Sequence, residues 1–468
     1  MVMNKIHRVC FIVSFFMLAG CSTLTELRSD LADRVFGREP PNPPAELTEI
    51  KAVYTPKVDW SAQVGEAARF DYIPALDAGF VYEGNAEGEL VKLDAANGQQ
   101  AWRVNVGEPI SGSVGAAGGL VMVGTSRGSV IAYDVSGKQL WKAKVSSEVL
   151  SAPRYFDGVV IVRSGDNHIF GIDSVDGSRK WVYERVSPAL SLRSSAGIVV
   201  DGGAVYAGFA GGKMAALRAD NGKLLWEATI AQPRGVTEIE RIADITSLPV
   251  IDGPVVYAVA YQGRVAAVDR VNGRVVWNRD ISSYTGMSVE NTRLFVSHAL
   301  GSVYCLDYAT GKTFWKQGSL ANRRLSAPLP MGDLVAVGDL EGYIHILSRD
   351  DGSFSARIKV DDEPVMSLIA GSRSSQLIAA TRGGRLYAIS VGDDSKPKQV
   401  FEPKSETLTR EPAAPESAQD SAPEKDSEEP SSGRSILFQN SDPLPLPGGG
   451  ADSGPGIRLP SPELSSPE

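Results

Sequence analysis

The sequence is poor in the residues that build metal centres and disulfide frameworks, with three cysteines and four histidines among 468 residues. It contains no HExxH motif and no pair of CxxC motifs, the spacings typical of zinc sites. The apolar run near its start, residues 9–18, is too short to span a bilayer. Its formal net charge of -9 argues against a nucleic-acid partner.

The start of the chain has the pattern of an export signal. Basic residues precede the apolar run 9–18, as in a secretory signal peptide. The run ends in LAGC at positions 18–21, which resembles a bacterial lipobox. The resemblance implies removal of residues 1–20, lipidation of Cys21 and, because Ser22 and not aspartate follows, sorting to the outer membrane. An ordinary signal peptide with a chance cysteine is the alternative.

Between residues 55 and 390 the sequence repeats with a period of about 40 residues, the length of one four-stranded propeller blade. All seven tryptophans belong to this repeat, and six of them follow a charged residue and a glycine turn at nearly constant spacing. The seven are Trp60, Trp102, Trp141, Trp181, Trp226, Trp277 and Trp315. The seventh unit keeps Gly352 but has Ala356 in place of tryptophan, so we expect a degenerate blade there.

A second marker in the repeat gives the number of blades. One glycine, or once an asparagine, precedes a short apolar alternation in each unit. The markers are Gly88, Gly128, Asn167, Gly212, Gly263, Gly301, Gly342 and Gly384. Asn167 supports the register because asparagine adopts positive φ more readily than other non-glycine residues. Eight markers predict eight blades.

The two ends of the repeat complement each other. The eighth unit stops before its tryptophan strand, whereas Trp60 has no blade before it. A strand near residues 58–64 can therefore complete the last blade and close the ring. The sequence predicts an all-β fold over residues 56–390, an eight-bladed β-propeller with four antiparallel strands per blade, closed by the N-terminal strand.

The segments beside the propeller have a different composition. Residues 21–55 include a proline-rich stretch at 40–44, which predicts a stiff, lipid-anchored linker that holds the propeller off the membrane. Residues 391–468 carry 15 acidic and 7 basic side chains and 13 of the 28 prolines. Such a segment buries too little apolar surface to fold, so we expect a disordered acidic tail rich in proline and serine.

The repeat resembles the quinoprotein-alcohol-dehydrogenase-like propeller family, which implies a fold and not a function. Its dehydrogenases hold pyrroloquinoline quinone and calcium along the propeller axis, and many stack the quinone on a vicinal disulfide. This sequence has no adjacent cysteines and lacks the long insertions that build the active-site lid. We expect no catalytic residues, no cofactor and no metal. A quinone-dependent enzyme or a ligand-binding propeller is the alternative.

Two intervals between the blade markers are longer than the others. Asn167 and Gly212 are 45 residues apart, and Gly212 and Gly263 are 51 apart, against 38 to 42 elsewhere. The extra residues therefore lie on both sides of the fourth blade. Loops on a rigid scaffold commonly carry recognition residues, so these two segments are the candidate functional site.

Together with the lipobox and the eight blades, these two segments resemble the BamB family of outer-membrane assembly factors, lipoproteins that bind the periplasmic POTRA domains of BamA. The resemblance implies that Leu190, Leu192 and Arg193 bind this partner, together with the acidic Asp244 in the neighbouring loop. The family pattern has a second acidic residue two places after Asp244, where this sequence has Thr246. Alternatively, the two leucines fill the gap between blades.

The sequence thus predicts a non-enzymatic scaffold on the periplasmic face of the outer membrane. The resemblance implies that it binds BamA, reaches the rest of the Bam complex through it, and promotes insertion of β-barrel proteins. Unfolded outer-membrane proteins are a further expected partner. Cofactor absorbance would instead indicate a quinone enzyme, and glycan binding would indicate a cell-wall module.

Overall fold

The computed structural model describes residues 42–186, 188 and 190–392. In these ranges it contains 32 β-strands and one short 3-10 helix, Ala210–Gly212. The strands form eight four-stranded antiparallel sheets, which confirms the predicted all-β propeller of eight blades. Cys21, most of the linker and residues 393–468 lie outside the described residues, so lipidation and the acidic tail stay predictions.

The first strand of the chain, β1 (Lys57–Gln63), belongs to the last blade. Within each blade, the other strands pair in the order of the sequence. Blades 1 to 4 comprise, in order, β2 (Ala75–Asp77), β3 (Phe80–Gly84), β4 (Glu89–Asp94) and β5 (Gln100–Asn105); β6 (Gly115–Ala117), β7 (Leu120–Gly124), β8 (Ser129–Asp134) and β9 (Gln139–Lys144); β10 (Arg154–Phe156), β11 (Val159–Arg163), β12 (Ile169–Asp173) and β13 (Arg179–Tyr183); and β14 (Ile198–Asp201), β15 (Ala204–Phe209), β16 (Lys213–Arg218) and β17 (Leu224–Thr229).

The second half of the ring repeats this order. Blades 5 to 8 comprise β18 (Val250–Asp252), β19 (Val255–Val259), β20 (Val265–Asp269) and β21 (Val275–Arg279); β22 (Met287–Glu290), β23 (Arg293–Ser297), β24 (Val303–Asp307) and β25 (Thr313–Gln317); β26 (Leu329–Met331), β27 (Leu334–Gly338), β28 (Tyr343–Ser348) and β29 (Phe354–Lys359); and β30 (Val365–Ala370), β31 (Gln376–Thr381), β32 (Arg385–Ser390) and β1.

Burial along the strands explains their composition. The second strand of a blade packs against a neighbouring blade on each face, so all five residues of β11 are buried and four of them are apolar. The fourth strand has one exposed face, and in β13 only Trp181 is fully buried. The continuous apolar runs are therefore the middle strands, and the alternating segments are the outer ones.

The ring closes where the sequence predicted. β1 pairs antiparallel with β32, and Trp60 lies opposite Ala388. This pairing joins the two ends of the described chain within one blade. Because the fourth strand of blade 8 comes from the N-terminal side, the blade cannot be completed without residues 57–63.

Each tryptophan fastens its blade to the next one. Its indole Nε1 donates a hydrogen bond of 2.8 to 3.1 Å to a backbone carbonyl near the turn between the third and fourth strands of the following blade. The pairs are Trp60–Ala95, Trp102–Val135, Trp141–Ser174, Trp181–Ala219, Trp226–Arg270, Trp277–Tyr308 and Trp315–Arg349. A turn glycine lies against each indole, as Gly98 does against Trp60, where a Cβ would lie 2.6 Å from the ring.

The same contact explains Ala356. Blade 7 retains all four strands, so the expectation of a degenerate blade holds only for its missing tryptophan. In blade 8 the third and fourth strands, β32 and β1, come from opposite ends of the propeller, and no turn joins them. A tryptophan at position 356 would therefore have no glycine turn to pack beneath. Ala356 is fully buried instead, in a cluster that Tyr54 packs against.

The turn markers have the expected backbone conformation with one exception. Asn167 has a φ of 68°, which confirms that asparagine replaces glycine at a left-handed position. In blade 5 the left-handed residue is Gln262, with a φ of 49°, and not the predicted Gly263. The left-handed residue is therefore shifted by one position in this blade. Gly263 is still constrained, because a Cβ there would lie 2.8 Å from the Cβ of Ala231.

The described part of the predicted linker lies on the propeller. We call residues 43–54 the N-terminal strap. The backbone N–H of Ala45 donates to Ala321, and that of Val53 donates to Ser355 in the outer strand of blade 7. Arg357 in the same strand donates to the carbonyl of Thr48 over 2.9 Å. The strap therefore covers the edge of blade 7 and satisfies backbone groups that the edge would otherwise expose.

Candidate functional site: two loops beside the fourth blade

Two loops flank blade 4. The first loop, residues 184–197, connects β13 to β14, and the second loop, residues 230–249, connects β17 to β18. Both lead from the fourth strand of one blade to the first strand of the next. Because antiparallel strands alternate in direction, such connections all emerge on one face of the ring. The two loops are therefore neighbours on that face, as their positions in the sequence predicted.

Leu190 and Leu192 lie on the surface of the first loop. Their exposed fractions are 45% and 37%, values typical of surface residues and not of the core. They do not fill the gap between blades, which was the alternative. Ser187 and Ala189 in this loop lie outside the described residues.

Asp244 lies inside the second loop, with only 4% of its surface exposed. One carboxylate oxygen accepts a hydrogen bond from the backbone N–H of Leu192 over 2.7 Å, and the other accepts one from Gly211 over 2.9 Å. Both oxygens are therefore engaged within the chain. The sequence predicted Asp244 as a partner-binding residue, and in the structure its side chain braces the first loop and presents no surface charge.

Arg193 reaches from the first loop to the connection between blades 2 and 3. Its Nε and Nη2 donate to the two carboxylate oxygens of Glu148, each over 2.8 Å, in the bidentate geometry that arginine favours. The hydrogen bond from Arg193 holds the pKa of Glu148 below its usual range. The guanidinium also lies 5.4 Å from the centre of the Phe70 ring. Arg193 thus anchors the first loop, while its side chain stays half-exposed.

Thr246 occupies the position at which the family pattern has a second acidic residue. Its side chain is buried, and its hydroxyl donates to the carbonyl of Tyr284 over 3.2 Å. A carboxylate cannot donate this bond unless it is protonated. The position therefore serves the contact between blades 5 and 6, and threonine there removes no exposed charge from the loop surface.

Arg163, which sequence reasoning missed, supports the site from below. It is buried at the end of β11 and donates to Ala196 over 3.0 Å and to the side chain of Asn167 over 2.5 Å. Burial lowers its pKa to about 10, and the charge of Asp244 opposes that shift. The only sign of this role in the sequence is a cation at the end of an apolar strand.

The described residues include histidine, cysteine and acidic side chains, and one cluster of serine, aspartate and histidine. No group of three or more histidine, cysteine or acidic side chains among them is placed to hold a metal ion. Ser164, Asp166 and His168 do come together, but the serine hydroxyl donates to Asp166 while His168 Nδ1 lies 3.0 Å from the same carboxylate. In a hydrolase triad the histidine receives the serine proton, so this order does not activate the serine.

The fold and the two loops define a class of protein, a propeller scaffold that presents exposed apolar side chains on a rigid face. Comparisons with known proteins agree with this class. The family model described as "Outer membrane protein assembly factor BamB" matches residues 60–317. The chain belongs to the BamB family.

Individual relatives extend the match beyond the family model. The outer membrane protein assembly factor BamB of Nitrosomonas eutropha is 38% identical over 392 residues, which cover 83% of this chain and 96% of the relative. The crystal structure of BamB from Moraxella catarrhalis superposes with a TM-score of 0.66 at 26% identity, covering 72% of this chain and all of that chain.

The likeness to quinone enzymes concerns the fold alone. The quinohemoprotein alcohol dehydrogenase of Comamonas testosteroni superposes with a TM-score of 0.58, over 78% of this chain and 83% of the enzyme, but the two are only 15% identical. The resemblance to the quinoprotein propellers therefore reflects a shared scaffold, and the relatives by sequence are assembly factors.

Proposed function

We propose that the chain is a non-enzymatic assembly factor of the outer membrane, a scaffold that binds the POTRA domains of BamA through the first loop. Through BamA it engages the rest of the Bam complex and promotes folding and insertion of β-barrel proteins. The observation that carries this proposal is the exposure of Leu190 and Leu192 on a loop whose backbone is hydrogen-bonded to the buried Asp244. Membership of a family of assembly factors supports it.

The chemistry of the first loop suits protein recognition. Two exposed leucines provide apolar area, and a half-exposed arginine beside them resembles the residues that dominate many interfaces. Asp244 and Glu148 fix the backbone and the Arg193 side chain before a partner arrives, which lowers the entropy cost of binding. In this proposal Leu190, Leu192 and Arg193 touch BamA, and Asp244 is a positioning residue.

The proposed location is the periplasmic face of the outer membrane, with the chain attached by lipid at Cys21. No helix among the described residues is long and apolar enough to cross a bilayer. Several acyl chains on one cysteine are sufficient for stable attachment. Labelling cells with a radioactive fatty acid tests this part, since the Cys21→Ser variant should incorporate none.

The family membership favours an assembly factor over an enzyme, and no observation on the described residues favours the quinone-dependent alternative. Direct binding of unfolded outer-membrane proteins stays a prediction.

The test of the partner is site-specific crosslinking in the native membrane. A photoreactive amino acid at position 190 or 192 should crosslink to BamA, whereas the same group at Val175, on the opposite face of blade 3, should not. Crosslinks from position 175 but not from 190 or 192 would contradict the proposed surface. Absence of BamA from all adducts would contradict the proposed partner.

A further inference from the structure

Arg193 contacts a connection that is remote from its own loop around the ring. Its guanidinium carbon lies 5.4 Å from the centre of the Phe70 ring, within the distance at which an aromatic face attracts a cation. Phe70 belongs to the connection 64–74, which leads from β1 in blade 8 to β2 in blade 1. The first loop lies between blades 3 and 4, so this contact joins two connections with three blades between them.

The Phe70 ring is held in place within the propeller. Only 7% of the residue is exposed, and its ring centre lies 6.1 Å from that of Tyr72. The Tyr72 hydroxyl donates to the carbonyl of Ile110 over 2.7 Å, and its carbonyl accepts a hydrogen bond from the hydroxyl of Ser367 over 2.9 Å. Phe70 therefore offers almost no surface to a partner, but it provides a fixed ring for Arg193.

The position of the connection 64–74 depends on ring closure. It directly follows β1, the strand that completes blade 8. On the side of blade 8, the backbone N–H of Ala67 donates to the carbonyl of Arg382 over 3.2 Å. On the side of blade 1, the carbonyl of Glu66 accepts a hydrogen bond from Ala86 over 3.1 Å. The connection is thus attached to both blades that meet where the ring closes.

The charges around the Arg193 guanidinium favour the same position. Glu148 accepts two hydrogen bonds from it on one side. Burial raises the pKa of Asp71, in the connection 64–74, and the charges of Arg382 and Arg193 oppose that shift. The like charge of Arg69 lies equally close to the aromatic ring, but Arg69 is exposed to solvent. Arg193 is therefore held between a carboxylate of one connection and an aromatic ring of another.

We propose that Phe70 is a positioning residue for Arg193 in the binding of BamA, so that the connection following the ring-closing strand helps to form the recognition surface. This inference rests on the proposed function, in which Arg193 touches BamA. The two hydrogen bonds to Glu148 set the direction of the guanidinium, and the Phe70 ring restricts the movement of its face. A side chain held in this way loses less conformational freedom when a partner binds.

The experiment titrates the full lipid-anchored protein in detergent with the POTRA domains of BamA. Phe70→Leu removes the aromatic face and keeps an apolar side chain at the buried position. The matched control is Phe354→Leu, which removes a ring that lies 5.2 Å from the guanidinium of Arg357 in the outer strand of blade 7. Both changes are also made in an Arg193→Ala chain, and urea denaturation establishes that every variant is folded.

We expect Phe70→Leu to weaken binding about fivefold and the control to bind within about twofold of the unchanged protein. In the Arg193→Ala chain, Phe70→Leu should cause no further loss, because the ring then has no guanidinium to hold. An equal loss in both chains, or no loss in either, would overturn the inference. The proposed function would still stand if Arg193→Ala alone weakens binding, whereas failure of the unchanged protein to bind would overturn both.

The Phe70→Tyr variant tests the aromatic face separately. Tyrosine keeps the ring that attracts the cation, so this variant should bind within about twofold of the unchanged protein while Phe70→Leu does not. The comparison decides the question even where the Arg193→Ala chain binds too weakly to titrate. Binding by a folded tyrosine variant that is as weak as that of the leucine variant would show that the aromatic face does not position Arg193.

Discussion

The carboxylate of Asp244 accepts a hydrogen bond from the backbone N–H of Leu192 across 52 positions of sequence. This bond and the one from Gly211 join the two long loops beside blade 4 to the end of β15. The buried Arg163 lies close enough for the two charges to interact. The surface that carries the leucines therefore depends on a residue that no partner can touch directly.

The first prediction concerns Asp244. The Asp244→Ala variant leaves two backbone N–H groups without their acceptor and removes the charge that faces Arg163, so the first loop should lose its fixed position. We expect binding to BamA to weaken by about tenfold, with a loss of unfolding free energy of about 1 to 3 kcal/mol. Asp244→Asn retains one acceptor oxygen and should be milder in both respects. Calorimetry and chemical denaturation measure the two effects. Normal binding by the alanine variant would show that the brace is unnecessary.

The second prediction concerns ring closure. Trp60 is buried at the seam between blades 8 and 1, whereas Trp102 occupies the equivalent position one blade further and is only partly buried. We expect Trp60→Ala to cost about 3 to 5 kcal/mol of unfolding free energy and Trp102→Ala to cost less. The reason is both the greater burial and the lack of a covalent turn between β32 and β1. Equal losses in urea denaturation would indicate that the seam is no weaker than the other blade contacts.

The same seam contains a buried carboxyl group. Glu83 lies in a cavity between blades 8 and 1, and neither of its oxygens has a hydrogen-bond partner among the described residues. Tyr72 and Arg385 are the titratable groups that line this cavity with it. Burial raises the pKa of Glu83 to about 8. Near neutral pH the side chain is therefore mostly protonated in the folded chain.

The third prediction follows from this pKa. Because the pKa is raised on folding, the folded chain binds more protons than the unfolded chain between pH 5 and pH 8. The unfolding free energy is therefore highest below the ordinary pKa of a glutamate. It falls as the pH rises towards 8, by up to about 1.4 kcal/mol for each pH unit. Glu83→Gln should remove most of this loss, whereas the exposed Glu87→Gln should not. Unfolding by urea at pH 5, 6.5 and 8 provides the comparison, and identical pH dependence in the two variants would rule out the role of Glu83.

The strap is held by a network of buried charges. Arg323 donates to the carbonyl of Ala45 over 2.8 Å and to the carboxylate of Asp339 over 2.7 Å. His345 lies 2.8 Å from the same carboxylate, and its other ring nitrogen accepts a hydrogen bond from Arg357 over 3.0 Å. Burial lowers the pKa of His345, so the ring is neutral and donates to Asp339. The network thus links the strap to the interior of blade 7.

The fourth prediction tests the strap. Arg357→Ala removes the donor to Thr48 and the donor to His345, and should cost about 1 to 2 kcal/mol of unfolding free energy. It should also make residues 43–54 more sensitive to limited proteolysis. Lys359→Ala, an exposed change in the same strand, is the control and should alter neither property. Proteolysis of the strap at the same rate in all three proteins would contradict its attachment.

The sequence predicted the ring because neighbouring blades contact each other through two residue types, tryptophan and glycine, that recur at regular spacing. The pairing of a tryptophan with a glycine turn recurs at seven of the eight contacts between blades, so the spacing alone reveals the architecture and the closing strand. Ala356 departs from that pattern because no turn connects β32 to β1, a feature that depends on how the ring closes.

The site was predicted less completely than the fold. The two long intervals located the loops, and the family resemblance selected Leu190 and Leu192, which are exposed. Whether Asp244 faces solvent or the interior depends on backbone groups 33 and 52 residues away, and no local pattern reports such contacts. The strap and the contact of Arg163 with Ala196 escaped for the same reason, because their partners lie on distant parts of the chain. The burial of Glu83 arises from the packing of blade 8 on blade 1, which no local pattern reports either.

The fifth prediction concerns the central claim and is tested most directly by calorimetric titration of the lipid-free chain, beginning at residue 22, with the POTRA domains of BamA. The Leu190→Ala, Leu192→Ala variant is compared with Leu140→Ala, Leu224→Ala, which removes leucines of similar exposure from outer strands. We expect the unchanged chain and the control to bind alike, and the site variant to bind at least about tenfold more weakly while remaining folded. Absence of binding by the unchanged chain, or equal binding by both variants, would contradict the account.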